Sequence, residues 1–249
     1  MAIIDVITYN GESELFDLRY NILKDVVDQF IVVEFDKTFS GKPKEPTFDK
    51  HYDKVKYYFI PESIYGEYKD LAEGSPNTVG ADHWKTEFMQ KESIKDCLTH
   101  LKDDDVVFIG DCDEIWDPTI THEFGKLNLR VYTYYLNNRS TEQFHGTICL
   151  PYLYVRQECL NHLRTNSVKR GYLAGWHFTS LKGTLRKKLE DSYTKETYAN
   201  DWVMNNLDDN VQKGKDFLGR DFTFTVDESE WPEYLKQNKE MYQNMCKSD

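Results

Sequence analysis

Residues 105–116 read Asp-Val-Val-Phe-Ile-Gly-Asp-Cys-Asp-Glu-Ile-Trp, and the aspartates at 111 and 113 are the strongest chemical signal in the chain. If the backbone stays extended past Gly110, alternation puts Asp111 and Asp113 on one face and Cys112 on the other. Carboxylates this close repel one another unless a proton or a cation sits between them. A hard divalent cation with oxygen ligands answers that need, and Glu114 adds a third carboxylate. The acidic run Asp103 to Asp105 upstream also fits a solvated turn. The motif alone therefore leaves metal, phosphate and solvated-turn readings open.

Several elements must position this turn. Val106 to Ile109 is a short apolar run, which reads as a strand buried on both faces of a parallel sheet. In an open α/β sheet, ligands bind beyond the carboxyl ends of the strands, where these aspartates fall. Upstream, residues 2–8 read as a strand. Residues 13–27 read as a helix with Leu15, Leu18, Ile22 and Val26 on one face, and 30–33 as a strand ending at Glu34. This is a βαβ unit. Arg19 lies within the helix, where a surface ion pair is the ordinary expectation. A third strand is expected at 55–60 and a helix at 83–101, with Trp84 among its inward residues. Later strands are expected at 129–135, 147–155 and 169–178, and a terminal helix from Pro232 to about Met245. Residues 61–82, with two Pro and three Gly, show little periodicity and read as a lid or acceptor-binding loop. The sequence predicts an α/β nucleotide-binding architecture with a mostly parallel central sheet flanked by helices.

Composition narrows the function. The chain of 249 residues carries 43 acidic and 31 basic side chains, net charge −12, which argues against a general nucleic-acid binder. No window approaches 18 consecutive apolar residues, so no membrane span is expected. Met1 runs directly into Ile3-Ile4-Asp5-Val6-Ile7 without a basic region or cleavage site. The five cysteines show no Cys-x-x-Cys pairing. Together these lead to the expectation of a cytoplasmic protein with free thiols.

Four blocks resemble glycosyltransferase family 17, the β-1,4-mannosyl-glycoprotein β-1,4-N-acetylglucosaminyltransferase family that adds the bisecting N-acetylglucosamine. They are Asn10-Gly-Glu12 through Leu15 to Arg19; Asp25-Val-Val-Asp28 with Phe30-Ile-Val-Val-Glu34 and Thr38-x-x-Gly-x-Pro43; Asp104 to Ile115; and Ala174-Gly-Trp-His-Phe178. Trp84, Glu87 and Gln90 resemble the helix before the Asp-x-Asp strand. The blocks keep the family's order across most of residues 3–180. Trp116 stands where the family usually has proline.

The resemblance implies a GT-A-like nucleotide-sugar-binding fold in a single transferase domain over 1–249. Within it, 1–128 would form the nucleotide-sugar and metal half, and 129–249 the acceptor side with the C-terminal helices. It implies transfer of a sugar, GlcNAc favoured, from a UDP-sugar to a glycan or other hydroxyl acceptor, with inversion and with Mn²⁺ or Mg²⁺ as cofactor. Asp113 would ligate the metal, Asp111 would contact the ribose or a metal-bound water, and His177 is the candidate third ligand. A buried, hydrogen-bonded histidine beside Trp176 is the competing role for His177. Asn10, Glu12, Arg19, Glu34, Trp84 and Glu87 join Asp111 as expected nucleotide-sugar contacts. For Glu34 the competing role is an ion pair with Lys37 or Arg19. Lys182, Arg186, Lys187 and Lys188 could counter diphosphate charge or form a solvated basic face. Inversion needs a general base. Glu114, Glu142, Glu158 and Asp191 are candidates, with Glu114 and Glu158 carried forward as the catalytic pair. Two other classes compete: a haloacid-dehalogenase-like phosphatase, which also places Asp-x-Asp after a strand, and a non-catalytic sugar-binding module.

Overall fold

The first four strands pair in parallel. The computed structural model describes residues 1–75, 82–120, 124–181, 184–191 and 200–248. β1 (Ile3–Thr8) lies between β2 (Gln29–Phe35) and β4 (Val106–Asp111), and β3 (Val55–Ile60) pairs with β2 at the edge. The apolar runs Ile-Val-Val of β2 and Val-Val-Phe-Ile of β4 are buried on both faces, as parallel strands covered by helices must be.

Beyond β4 the sheet changes character. β7 (Asn138–Pro151) runs antiparallel to β4, and β6 (Gly125–Thr133) antiparallel to β7. β8 (Lys169–Thr179) is parallel to β6, and the short β5 (Glu114–Trp116) pairs antiparallel with β8. The order is β3-β2-β1-β4-β7-β6-β8-β5, with β9 (Phe224–Val226) on β7. The sheet is therefore mixed, which corrects the expectation of a mostly parallel one. The wide spacing of Tyr-rich strands after residue 125 carried no indication of direction.

Helices cover both faces. α1 (Ser13–Leu23) packs Leu15, Phe16, Leu18 and Leu23 on one face, with Phe30, Val32 and Phe108. The opposite face carries Ile4, Val6, Ile31, Val33, Val107 and Ile109. There they meet Ile94 and Leu98, which follow α4 (Asp82–Ser93), and Leu160 of α6 (Leu160–Asn166). α5 (Tyr152–Gln157) bridges β7 and α6. A third cluster joins Leu185 and Leu189 of α7 (Leu185–Asp191) to Val203 and Leu207 of α8 (Asp201–Gln212). α9 (Glu233–Gln237) buries Leu235 against the α1 face. Among the described residues, no helix is long and apolar enough to cross a membrane.

The segment expected as an open loop is partly helical. α2 (Glu62–Tyr65), a 3₁₀ turn and α3 (Lys69–Glu73) occupy its first half, with Tyr65 and Ala72 fully buried. Gly66 caps one short helix and Gly74 the other, so the glycines punctuate helices here instead of preventing them. Tyr65, within the segment expected to act as a lid or acceptor-binding loop, is a core residue. Residues 76–81 of that segment lie outside the described residues.

One ion pair crosses the core. Arg19 and Asp5 are both fully buried: Arg19 Nε donates to Asp5 Oδ2 at 2.7 Å and Nη2 to Oδ1 at 2.6 Å. The surface ion pair expected for Arg19 is corrected, because α1 lies flat on the sheet and turns this position inward. Trp116 Nε1 donates to the same carboxylate at 2.9 Å, its ring stacked on Phe108 at 3.9 Å. Removing one member of a buried pair strands the other's charge. Arg19→Met should therefore lower unfolding free energy by about 3–5 kcal/mol, read from denaturant midpoints. A loss below about 1 kcal/mol, the level of an exposed pair, would show that the pair has no such weight.

Candidate active site

Thr8, Glu34 and Asp111 all fall at the carboxyl ends of parallel strands, and the polar cluster grows from there. β4 ends at Asp111, and residues 112–113 form a turn before β5 starts at Glu114. The expected extended run through Asp113 is corrected to a turn. Arg19 makes that turn: its Nη1 donates to the carbonyls of Asp111, at 3.2 Å, and Glu114, at 2.6 Å. Being fully buried with these four contacts, Arg19 reaches the site through backbone alone. It positions the turn and presents no surface to a nucleotide.

Asp111 Oδ1 accepts from the Thr8 hydroxyl at 2.9 Å, the pair being opposite one another in register. Lys91 Nζ lies 4.0 Å from Oδ1 and Arg164 Nη2 3.5 Å from Oδ2. Burial would raise the pKa of this carboxyl, but Lys91 and Arg164 outweigh it and hold it at about 2. Asp113 is nearly buried. Lys188 of α7 donates to its Oδ2 at 2.7 Å, and His177 Nε2 stands 3.5 Å from Oδ1. Burial again opposes ionisation, and Lys188 and then His177 prevail, holding Asp113 well below the usual carboxylate range. The Lys188 ammonium is favoured in turn: burial disfavours its charge, and Asp113 more than compensates. Buried Leu185 and Leu189 fix α7 on either side of it.

His177 enters from β8, opposite Glu114 in register, with its ring stacked on Phe144 at 4.1 Å. Its Nδ1 is buried and has no hydrogen-bond partner among the described residues. Gly175 precedes it at φ +155°, where an added Cβ would lie 2.7 Å from Trp116 Cα, so β5 can lie against β8 only over a glycine.

Glu114 is 1% exposed. Its Oε2 accepts from Thr147 Oγ1 at 3.1 Å and its Oε1 faces Arg164 Nη2 at 3.5 Å. Space for the carboxylate comes from two glycines. A Cβ on Gly110 would lie 2.7 Å from Glu114 Oε2, and one on Gly146 would lie 2.7 Å from its Cδ. Glu158, by contrast, is exposed just after α5, and its carbonyl accepts from Lys95 at 2.9 Å. No contact among the described residues joins its carboxylate to the cluster. Glu142 pairs with Arg220, and Asp191 with Lys42 and Lys187.

The other expected contacts divide. Glu12 accepts from the Asn10 amide at 2.5 Å, and Lys44 donates to Asn10 Oδ1 at 2.7 Å. Burial first, then the Asp113 charge, raises the Glu12 pKa, which ties this loop to the cluster. Glu34 is fully buried and saturated by Thr47 (amide and hydroxyl), the Phe48 amide, Tyr57 and Lys44 at 2.7–3.2 Å. Its ion-pair partner is Lys44, which corrects the expected Lys37 or Arg19; Lys37 pairs with Glu62. Trp84 is 38% exposed, correcting its expected inward placement, whereas Glu87 is buried and pairs with Lys91. Thr8, Lys91, Arg164 and Thr147 went unseen in the sequence. Only Thr8, at the end of a recognisable strand, carried a signal that could have found it. Lys188 was seen but not placed.

The depressed Asp111 pKa has a pH consequence. Folding lowers it, so the stability it gives is present above the unfolded value of about 3.9 and is lost as pH falls toward about 2. The unfolding midpoints of wild type and Asp111→Asn should converge between about pH 4 and 2. Curves that stay parallel across that window would exclude the assignment.

Comparison with known proteins now bears on this geometry. The family model for glycosyltransferase family 17 matches residues 1–134, more than half of the chain. The human β-1,4-mannosyl-glycoprotein 4-β-N-acetylglucosaminyltransferase is 32% identical over 122 residues, covering 45% of this chain and 21% of that protein. The rat protein of that name is 32% identical and the mouse protein 31%, over the same coverage. This chain thus spans about a fifth of the length of these curated relatives. Asp111, Asp113 and Glu114 fall inside the matched region, while Arg164, His177 and Lys188 lie beyond it. Matched over more than half its length, with the acidic turn inside the match, the chain belongs to glycosyltransferase family 17.

Proposed function

We propose that this chain is a glycosyltransferase of GT-A type, a single domain whose residues 1–128 bind the donor and whose residues 129–249 face the acceptor. It would move N-acetylglucosamine from UDP-GlcNAc to a glycan hydroxyl with inversion. The observation that carries this reading is the pair Asp111 and Asp113, both held ionised at the carboxyl end of β4 in a chain of this family. The curated relatives, named as N-acetylglucosaminyltransferases acting on β-1,4-mannosyl-glycoprotein, support the choice of sugar.

The donor chemistry of these residues fits Mn²⁺ or Mg²⁺. Two ionised carboxylates supply hard oxygen ligands, and His177 adds an imidazole, acceptable to Mn²⁺. Among the described residues, no group of three or more His, Cys, Asp or Glu is already gathered to hold a metal, and Lys188 occupies Asp113 Oδ2. A divalent ion on Asp113 therefore competes with Lys188. When bound, it would act as a Lewis acid, neutralising charge on the departing diphosphate.

The protein's own part is positioning. Arg19 fixes the backbone of the turn through the carbonyls of Asp111 and Glu114. Thr8 orients Asp111, and β8 brings His177 to Asp113. Glu114, enclosed by Thr147 and Arg164, acts through those neighbours and not directly on an acceptor.

Calorimetry with Mn²⁺ should register UDP binding to wild type. Asp113→Asn should abolish the Mn²⁺-dependent part and leave the circular dichroism spectrum intact; equal affinity in both proteins would sink the metal assignment. In a donor screen with Mn²⁺, UDP-GlcNAc should be consumed ahead of UDP-Gal, UDP-Glc and GDP-mannose. Faster turnover of GDP-mannose would overturn the choice of donor.

A further inference from the structure

We infer that Arg164 of α6, with Lys126 of β6 beside it, forms a cationic subsite for the diphosphate of the donor, and that Glu114 orients the arginine for it. This rests on the reading of the chain as a UDP-sugar transferase.

Arg164 is held in place from behind. Leu160, one turn earlier on α6, is fully buried. Asn161 anchors the helix to α4, its amide donating to Glu92 Oε1 at 2.8 Å and its Nδ2 to the Phe88 carbonyl at 3.2 Å. A helix fixed this way delivers a long side chain to a defined place. Arg164 is only 16% exposed, yet its contacts are loose. Nη2 reaches Asp111 Oδ2 and Glu114 Oε1, each at 3.5 Å. Other arginines of this chain make tight forks on carboxylates: Arg19 on Asp5 at 2.6 and 2.7 Å, Arg156 on Asp103 at 2.7 and 3.0 Å, Arg220 on Asp216 at 2.8 and 3.0 Å. Arg164 faces two carboxylates and closes on neither. Of its five N–H donors, those on Nε and Nη1 make no hydrogen bond among the described residues.

With Nη2 turned to the two carboxylates, Nε and Nη1 are each left to donate to a separate acceptor, and the several oxygens of a diphosphate can take both. Glu114 supplies the fixed edge. Enclosed by Thr147 and the two glycines, it has no freedom to follow the arginine elsewhere.

Further cations stand near Arg164, of which Lys91 is already paired with Glu87. Lys91 lies 4.0 Å from Asp111. Lys126, on the strand that pairs with β7 beside β4, is half-buried and makes no ion pair among the described residues. Burial, and then the charge of Arg164, disfavours its ammonium. Bringing cations together at a partly buried place costs free energy. In a chain of net charge −12, they gather beside the carboxylate that would otherwise repel a phosphate ligand. A diphosphate would relieve the repulsion between the cations.

The test compares UDP with uridine, which lacks the phosphates, by calorimetry in the presence of Mn²⁺. Arg164→Gln should weaken UDP binding roughly ten-fold or more, the worth of a charge-assisted pair. Lys126→Gln should weaken it several-fold. Uridine affinity should stay within about two-fold of wild type in both variants, a change below half a kcal/mol. Arg164→Lys should recover part of the loss, because it restores the charge without the spread of guanidinium donors. An unchanged ratio of UDP to uridine affinity in Arg164→Gln overturns the inference, whether both affinities hold or both fall. Should that variant fail to fold, the same ratio in Arg164→Lys and Lys126→Gln decides. If wild type binds neither compound, the transferase reading itself fails; if it binds UDP and the ratios do not move, only the subsite fails.

Discussion

The buried pair of Asp5 and Arg19 is the constraint on which the rest depends. One carboxylate on β1 takes the guanidinium of α1 and the indole of β5, and the same guanidinium then holds two carbonyls of the acidic turn. Five residues spread over 112 positions of the chain are thereby locked to one another. Burying an ion pair is costly in itself and is tolerated when its donors and acceptors find partners, as four of the five guanidinium N–H groups do here. What the pair gives in return is shape: a turn with three acidic side chains whose backbone is fixed by the core and not by its own sequence.

Electrostatics then organise the turn. Asp111 is matched by Lys91 and Arg164, and Asp113 by Lys188 and His177. These partners come from four different elements, α4, α6, α7 and β8, so the acidic turn is the meeting place of the parallel half of the sheet and the mixed half. Both carboxylates stay ionised through ordinary pH, with Lys91, Arg164 and Lys188 supplying the balancing charge.

Much of the parallel half was legible in the sequence. The strands at 2–8, 30–33 and 106–109 were readable as apolar runs, and the period of Leu15, Leu18 and Ile22 marks α1. The Asp-x-Asp motif was legible because its residue types are unusual at a strand end, but its turn geometry was not. The mixed half was not, since strand direction there depends on pairings between distant segments, such as β4 with β7. The short helices at 62–73 were hidden by Gly66 and Gly74, whose turn signals outweighed a few buried apolar positions. Arg164 and Lys188 sit in polar helices with nothing local to distinguish them from solvated cations. Their meaning lies 53 and 75 residues away, at Asp111 and Asp113.

The enclosure of Glu114 has a consequence for anyone who would move this motif into another scaffold. The four residues Asp-Cys-Asp-Glu are not portable alone. Glu114 fits only because the strand before it carries Gly110 and the neighbouring strand offers Gly146 followed by Thr147. Grafting the tetrapeptide onto a strand with ordinary side chains at those places would push the glutamate into solvent and release Arg164 with it. The transplantable unit is a two-strand module, and its glycines belong to the recipe as much as its acids do.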